Sequence, residues 1–113
     1  MAKDLQVALL LDYYGALLTD KQRDFISLYY DEDLSLSEIA ENSGITRQGV
    51  HDNIKRAAAE LKAYEEKLGL FARFSDITSS AGKIKVLLSE ELDSDSTLYK
   101  KVIKLLDTIV DEA

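Results

Sequence analysis

Residues 34–56, which read LSLSEIAENSGITRQGVHDNIKR, divide into a short helix, a tight turn and the start of a second helix. Ser35 and Glu38 have the spacing of a capping box, in which each side chain accepts a hydrogen bond from the other residue's backbone N–H. Gly44 suits the left-handed conformation that ends many helices, because it has no Cβ to clash. The stretch therefore predicts a helix-turn-helix with its core at residues 35–56.

Apolar residues on both sides of this turn have helical spacing. They give the first helix one buried face, formed by Leu36, Ile39 and Ala40. Thr46 is a residue type that caps a helix start. The predicted buried face of the second helix is Val50, Ile54, Ala57, Ala58 and Leu61. Helices joined by so short a turn cross steeply, and the second one presents its amino-terminal residues where they can enter the major groove of DNA.

The outward positions of the second helix are the candidate DNA-binding residues. They are Thr46, Arg47, Gln48, His51, Lys55 and Arg56. Arg47 has the side chain that pairs with guanine, and Gln48 the one that pairs with adenine. The helix start suits a phosphate, and the two cations at its far end suit the DNA backbone. Asp52 lies on the same face and would repel phosphate, which favours the alternative of a solvated helix face.

The net charge of −7 argues against strong, non-specific binding to DNA, because lysine and arginine supply most of that affinity. The charge is unevenly distributed, at −4 over residues 1–34, −1 over residues 35–68 and −2 over residues 69–113. Residues 46–56 alone carry a net charge of +2. We therefore expect weak, salt-sensitive binding through the second helix.

No motif in the chain predicts an enzyme. The absence of cysteine excludes disulfides and thiolate metal sites. His51 is the single histidine, and Asp52, adjacent to it on a helix, is not expected to face it, so general acid–base chemistry is not predicted. The acidic run at residues 31–33 lacks the alternating ligands of a calcium loop. We expect no cofactor and no metal.

Because the chain has neither a leader pattern nor a long apolar run, the expected location is the cytoplasm, without a membrane partner.

Before the central stretch, two helices are predicted. The first carries a helical stripe of Leu5, Ala8, Leu9, Tyr13, Ala16 and Leu17, expected to be buried. Further apolar residues widen the stripe: Val7, Leu10, Leu11, Tyr14 and Leu18. A helix this apolar is expected to be covered on two sides. Thr19 and Gln22 form a second capping box, at the start of a helix that ends near Tyr30.

After the central stretch, the second helix is predicted to run on to Gly69, the first plausible break. A helical extension over residues 69–113 follows, with a polar loop at residues 93–96. The sequence leaves open whether residues 78–82 are a kink, a break or only a weak spot in the helix. The last helix of the extension has an apolar face of Leu98, Val102, Leu105, Leu106 and Ile109. The extension has few residues of its own that could cover its apolar stripes, so we expect it to form a homodimer. Residues 1–68 are the predicted helix-turn-helix domain.

Several runs resemble the YlxM family of small bacterial proteins. They are YYGALLTDKQ at residues 13–22, LYY at residues 28–30, SLSEIA at residues 35–40, TRQGV at residues 46–50 and DNIKR at residues 52–56. The match covers about residues 5 to 68. It departs from the family pattern at Gly49, where alanine is usual, and at His51, where an aromatic residue is usual. The same helix-turn-helix is similar to the promoter-reading domain of sigma factors.

The resemblance implies an all-α fold, a sigma-factor-like helix-turn-helix bundle with a long helical C-terminal extension. It also implies a regulatory role and a link to the signal recognition particle (SRP) pathway, because genes of this family commonly neighbour those for its protein components. Two functions follow. The first is a regulator that binds duplex DNA, and the alternative is an accessory protein that uses the same fold to bind an SRP protein or ribonucleoprotein.

Overall fold

The computed structural model describes residues 3–112, and these residues form an all-α protein. Six α-helices follow one another: α1 Leu5–Tyr14, α2 Asp20–Tyr30, α3 Leu36–Ser43, α4 Arg47–Leu68, α5 Leu70–Glu91 and α6 Thr97–Glu112. They belong to two compact units, of which the first ends at Gly69 and the second begins at Leu70. Among the helices of residues 3–112, none combines the length and the apolar character that crossing a bilayer requires.

In the first unit, α1, α2 and α3 all pack against α4. The buried face of α4 consists of Val50, Ile54, Ala57 and Leu61, as the sequence predicts, while Ala58 is only half-buried. Ile26 of α2 and Ile39 of α3 are completely buried. The helix-turn-helix is therefore one corner of a bundle that is organised around α4.

The predicted buried stripe of α1 is wrong. The structure buries the widening set, Val7, Leu10, Leu11, Tyr14 and Leu18. Leu5 is 76% exposed and Leu17 is 54% exposed. Both sets have helical spacing, so periodicity could not choose between them, and packing against α4 decides which side is covered. The α-helix also ends at Tyr14, and Gly15–Leu17 form a short 3₁₀ turn.

Polar contacts fix α4 against its neighbours. Tyr14, which is only 1% exposed, donates its hydroxyl to the Glu65 carboxylate at 2.6 Å. The Gln22 side-chain amide donates to Glu60 at 3.1 Å. Since Gln22 also completes the capping box with Thr19, one side chain both starts α2 and joins it to α4.

The second unit is an α-helical hairpin. The α5 helix is continuous through residues 78–82, so this stretch does not break the helix. After the loop, the Ser96 hydroxyl accepts from the Tyr99 N–H at 3.0 Å and starts α6. Ala81 and Leu106 are the buried residues of the two helices, and Lys85 forms an ion pair with Asp107 at 2.6 Å.

Candidate nucleic-acid interface

The turn between α3 and α4 has the predicted geometry. Both halves of the Ser35–Glu38 capping box are formed at the start of α3. Gly44 ends this helix in the left-handed conformation, with φ 70° and ψ 22°, and donates its N–H to the Ala40 carbonyl at 3.0 Å. The Thr46 hydroxyl then accepts from the Gly49 N–H at 3.0 Å and caps α4. The reversal between the helices is thus fixed by local interactions.

This geometry leaves the amino end of α4 open to solvent. Thr46, Arg47 and Gln48 are exposed, while Val50 is completely buried one position beyond Gly49. Lys55 and Arg56 are exposed as well, so five of the six candidate residues are open to solvent. His51 is the exception, because its side chain is only 28% exposed.

A hydrogen-bonded cluster occupies the middle of this face. The Gln48 side-chain amide donates to Asp52 Oδ1 at 2.9 Å, and His51 Nδ1 lies 3.3 Å from the same oxygen. The expectation that Asp52 does not face His51 is wrong, because both side chains bend toward each other across the helix surface. The contact to His51, followed by that from Gln48, lowers the pKa of the Asp52 carboxyl below its usual range. The carboxylate is thus held in its charged form within the candidate face.

Gly49 lies beneath the exposed residues of the first turn. A Cβ placed there would lie 3.2 Å from the Thr46 hydroxyl and 3.6 Å from Ile45 Cδ1. The distance to the Thr46 hydroxyl is shorter than most contacts of a Cβ, and the distance to Ile45 is an ordinary van der Waals contact. One turn later, the Asn53 side chain donates to the Gly49 carbonyl at 2.9 Å, and this bond adds to the hydrogen bonding of the first turn.

A hollow of about 300 Å³ beside Arg47 was not predicted from the sequence. Its walls come from the end of α2, the start of α3 and the segment before α1, and they include Lys3, Tyr29, Asp33, Glu38 and Arg47. Lys3 forms an ion pair with Asp33, and its ammonium lies 4.9 Å from the centre of the Tyr29 ring. The lining therefore carries both signs of charge. No local pattern signals this arrangement, since Lys3 and Arg47 are far apart in the chain.

Comparison with known proteins gives the family. Residues 1–103 match the family model described as "UPF0122: Putative helix-turn-helix protein, YlxM / p13 like". A UPF0122 protein of Desulforamulus reducens is 47% identical over 107 residues, which cover 88% of this chain and 92% of that protein.

UPF0122 proteins of Bacillus cereus and Bacillus anthracis are each 43% identical over 109 residues, covering 96% of this chain and 98% of the relative. These matches extend over both structural units. They confirm the resemblance that the motifs of the first unit indicate, and the chain belongs to the UPF0122 family of YlxM/p13-like helix-turn-helix proteins.

Proposed function

We propose that this protein is a regulator that binds duplex DNA by placing the amino end of α4 in the major groove. The observation that supports the proposal is the exposure of Thr46, Arg47 and Gln48 on a helix whose opposite side is fully buried. A recognition helix needs this combination, because base edges are reached only by side chains that project from a fixed backbone.

The residues of this face divide into two kinds of contact. Arg47 and Gln48 have the donors and acceptors that pair with guanine and adenine. Lys55 and Arg56 are exposed about two turns later and would contact phosphates. His51 and Asp52 lie between the two groups, and the negative charge of Asp52 limits the affinity. The similarity to the promoter-reading domain of sigma factors agrees with this mode of docking.

Charge reversal tests the proposal. The double variant Arg47→Glu/Lys55→Glu is expected to abolish retention of duplex DNA at low salt, because it converts two attractive contacts into repulsive ones. Both side chains are exposed, so helicity should be unchanged. The measurement is an electrophoretic mobility shift with random-sequence duplex, with circular dichroism on the same samples.

A matched control uses two exposed lysines outside the face. Lys21→Glu/Lys83→Glu makes the same change in net charge, in α2 and α5. It should retain DNA nearly as well as the unaltered protein. Equal retention by the two double variants would exclude the α4 face from DNA binding.

The second candidate function is that of an accessory protein, and the net charge of −7 favours it. Here the same fold would act in the cytoplasm on an SRP protein or ribonucleoprotein, with its acidic surface against a basic partner. Random-sequence duplex at low salt separates the two functions, because electrostatic attraction to DNA is largest there. No shift of the unaltered protein under those conditions would favour the accessory function.

A further inference from the structure

Asp52 occupies the most outward position in the second turn of α4. The buried side of this helix consists of Val50, Ile54, Ala57 and Leu61. At about 100° per residue, position 52 lies on the opposite side of the helix from the centre of these four. Its side chain is 55% exposed. A helix that enters the major groove with its buried side toward the protein therefore brings Asp52 to the base edges.

The protein contacts of Asp52 are made by one of its two carboxylate oxygens. Oδ1 accepts from the Gln48 amide at 2.9 Å and lies 3.3 Å from His51 Nδ1. Among residues 3–112, no hydrogen bond is made to Oδ2. The two contacts thus orient the carboxylate, and Oδ2 can still accept from a bound molecule.

The cations that follow on the same face do not pair with Asp52. Lys55 and Arg56 lie three and four residues further along α4, at the spacing where opposite charges pair on a helix surface. Neither forms an ion pair with Asp52 in the part of the chain that the structure describes. The negative charge therefore remains at the centre of the face, and both cations remain available to phosphates.

A carboxylate at the base edges discriminates among bases, because it can only accept hydrogen bonds. The donors in the major groove are the amino groups of cytosine and adenine, whereas guanine and thymine present acceptor atoms that repel a carboxylate. Adenine also carries the acceptor N7 beside its amino group. Cytosine has no such acceptor on its own base, so it is the base that fits Asp52.

We propose that Asp52 is a specificity-determining residue whose Oδ2 accepts from the N4 amino group of a cytosine in the major groove. The inference rests on the proposed DNA-binding function and specifies a base that the bound duplex contains. The same carboxylate fixes the Gln48 amide, because only Nε2 can donate to it. The second N–H and the oxygen of Gln48 then remain for an adenine. The charge that weakens binding to random DNA would thus select sequence.

Selection from a randomised duplex library tests this role. The full chain is incubated with the library at low salt, and the retained duplexes are sequenced. At one position of the enriched motif, cytosine is expected to exceed each other base by about fivefold or more, which is the lower end of the discrimination that a specific base contact provides.

Two substitutions separate base selection from simple repulsion. Asp52→Ala is expected to lose the cytosine preference. Asp52→Asn is expected to change it to adenine, because the asparagine amide both donates and accepts and so pairs with that base. Retention of random duplex should rise for both variants, since each removes a negative charge, and retention alone would not identify a base contact. Circular dichroism checks that both variants fold.

Asp12→Asn is the matched control, since it makes the same change at an exposed aspartate of α1. It should keep the cytosine preference. A motif that Asp52→Ala leaves unchanged, or retention of duplex without any cytosine preference, would overturn the role of Asp52 and leave DNA binding in place. If the unaltered chain retains no duplex at all, both proposals fail.

Discussion

Gly49 is the third residue of α4 and supports the turn without contributing a side chain. In α2 and α3, which are capped by the hydroxyls of Thr19 and Ser35, the same position holds Gln22 and Glu38. A side chain at this position is therefore compatible with a capping hydroxyl. The close approach of 3.2 Å that a Cβ would make to the Thr46 hydroxyl can be relieved by a small movement of that hydroxyl.

Gly49→Ala is accordingly expected to stabilise the first unit by up to about 1 kcal/mol, the difference in helix propensity between the two residues. The new methyl group would also contact Ile45. Urea denaturation followed by circular dichroism measures the change. A loss of stability would show that the Thr46 cap cannot adjust.

Individual residues differed in how well the sequence predicted them. The caps at Thr19, Ser35 and Thr46 were predicted correctly, because each depends on residues three apart in the chain. The contact between His51 and Asp52 was not, because it depends on side-chain rotamers that sequence spacing leaves open. The roles of the six candidate residues in DNA binding stay a prediction.

The α3–α4 turn depends on one backbone conformation. Gly44 has φ 70°, and nothing lies within 4 Å of a Cβ placed there, so a substitution would be opposed by the backbone and not by crowding. Asp33, in the loop between α2 and α3, has a similar φ of 60°, and aspartate tolerates the left-handed region better than most residues.

Gly44→Ala is therefore expected to destabilise the first unit by about 1–2 kcal/mol, the energy of a left-handed non-glycine residue. Gly44→Asn should lose less, because asparagine adopts this conformation more readily. Thermal unfolding of both variants beside Gly49→Ala provides the comparison, since the alanine changes have opposite expected signs. An unchanged melting temperature for Gly44→Ala would mean that the turn can form without a left-handed residue.

Whole elements were predicted well in extent and less well in orientation. The ends of α2, α3 and α4 follow from caps and from Gly44 and Gly69, both in the left-handed region. The buried side of α1 could not be predicted, because apolar residues surround most of this helix. Its orientation depends on α4, which lies some fifty positions away in the chain, and such distant packing has no local signal.

At the scale of the whole molecule, the proposed DNA binding would depend on few charges. The proposed face offers three cations, Arg47, Lys55 and Arg56, within a chain of net charge −7. Long-range attraction to DNA is therefore expected to be weak, and the proposed binding would depend on direct contact between these side chains and the duplex.

A salt titration measures that dependence. With two phosphate contacts, from Lys55 and Arg56, a rise from about 50 to 200 mM salt is expected to lower DNA affinity about twelvefold, from a slope of about −0.9 per contact. Fluorescence anisotropy with a labelled duplex gives the slope. A slope near zero would mean that binding, if seen, uses no phosphate contact.

The same titration should leave the fold intact. The buried side chains of residues 3–112 are apolar or tyrosine, and the ion pairs found among these residues lie between solvent-accessible groups. Apart from Thr46, whose hydroxyl caps α4, the side chains proposed for recognition are therefore separate from those that form the buried core. Substitutions at Arg47 and Gln48 would therefore leave the scaffold intact, so that relatives with the same core could differ in what they recognise.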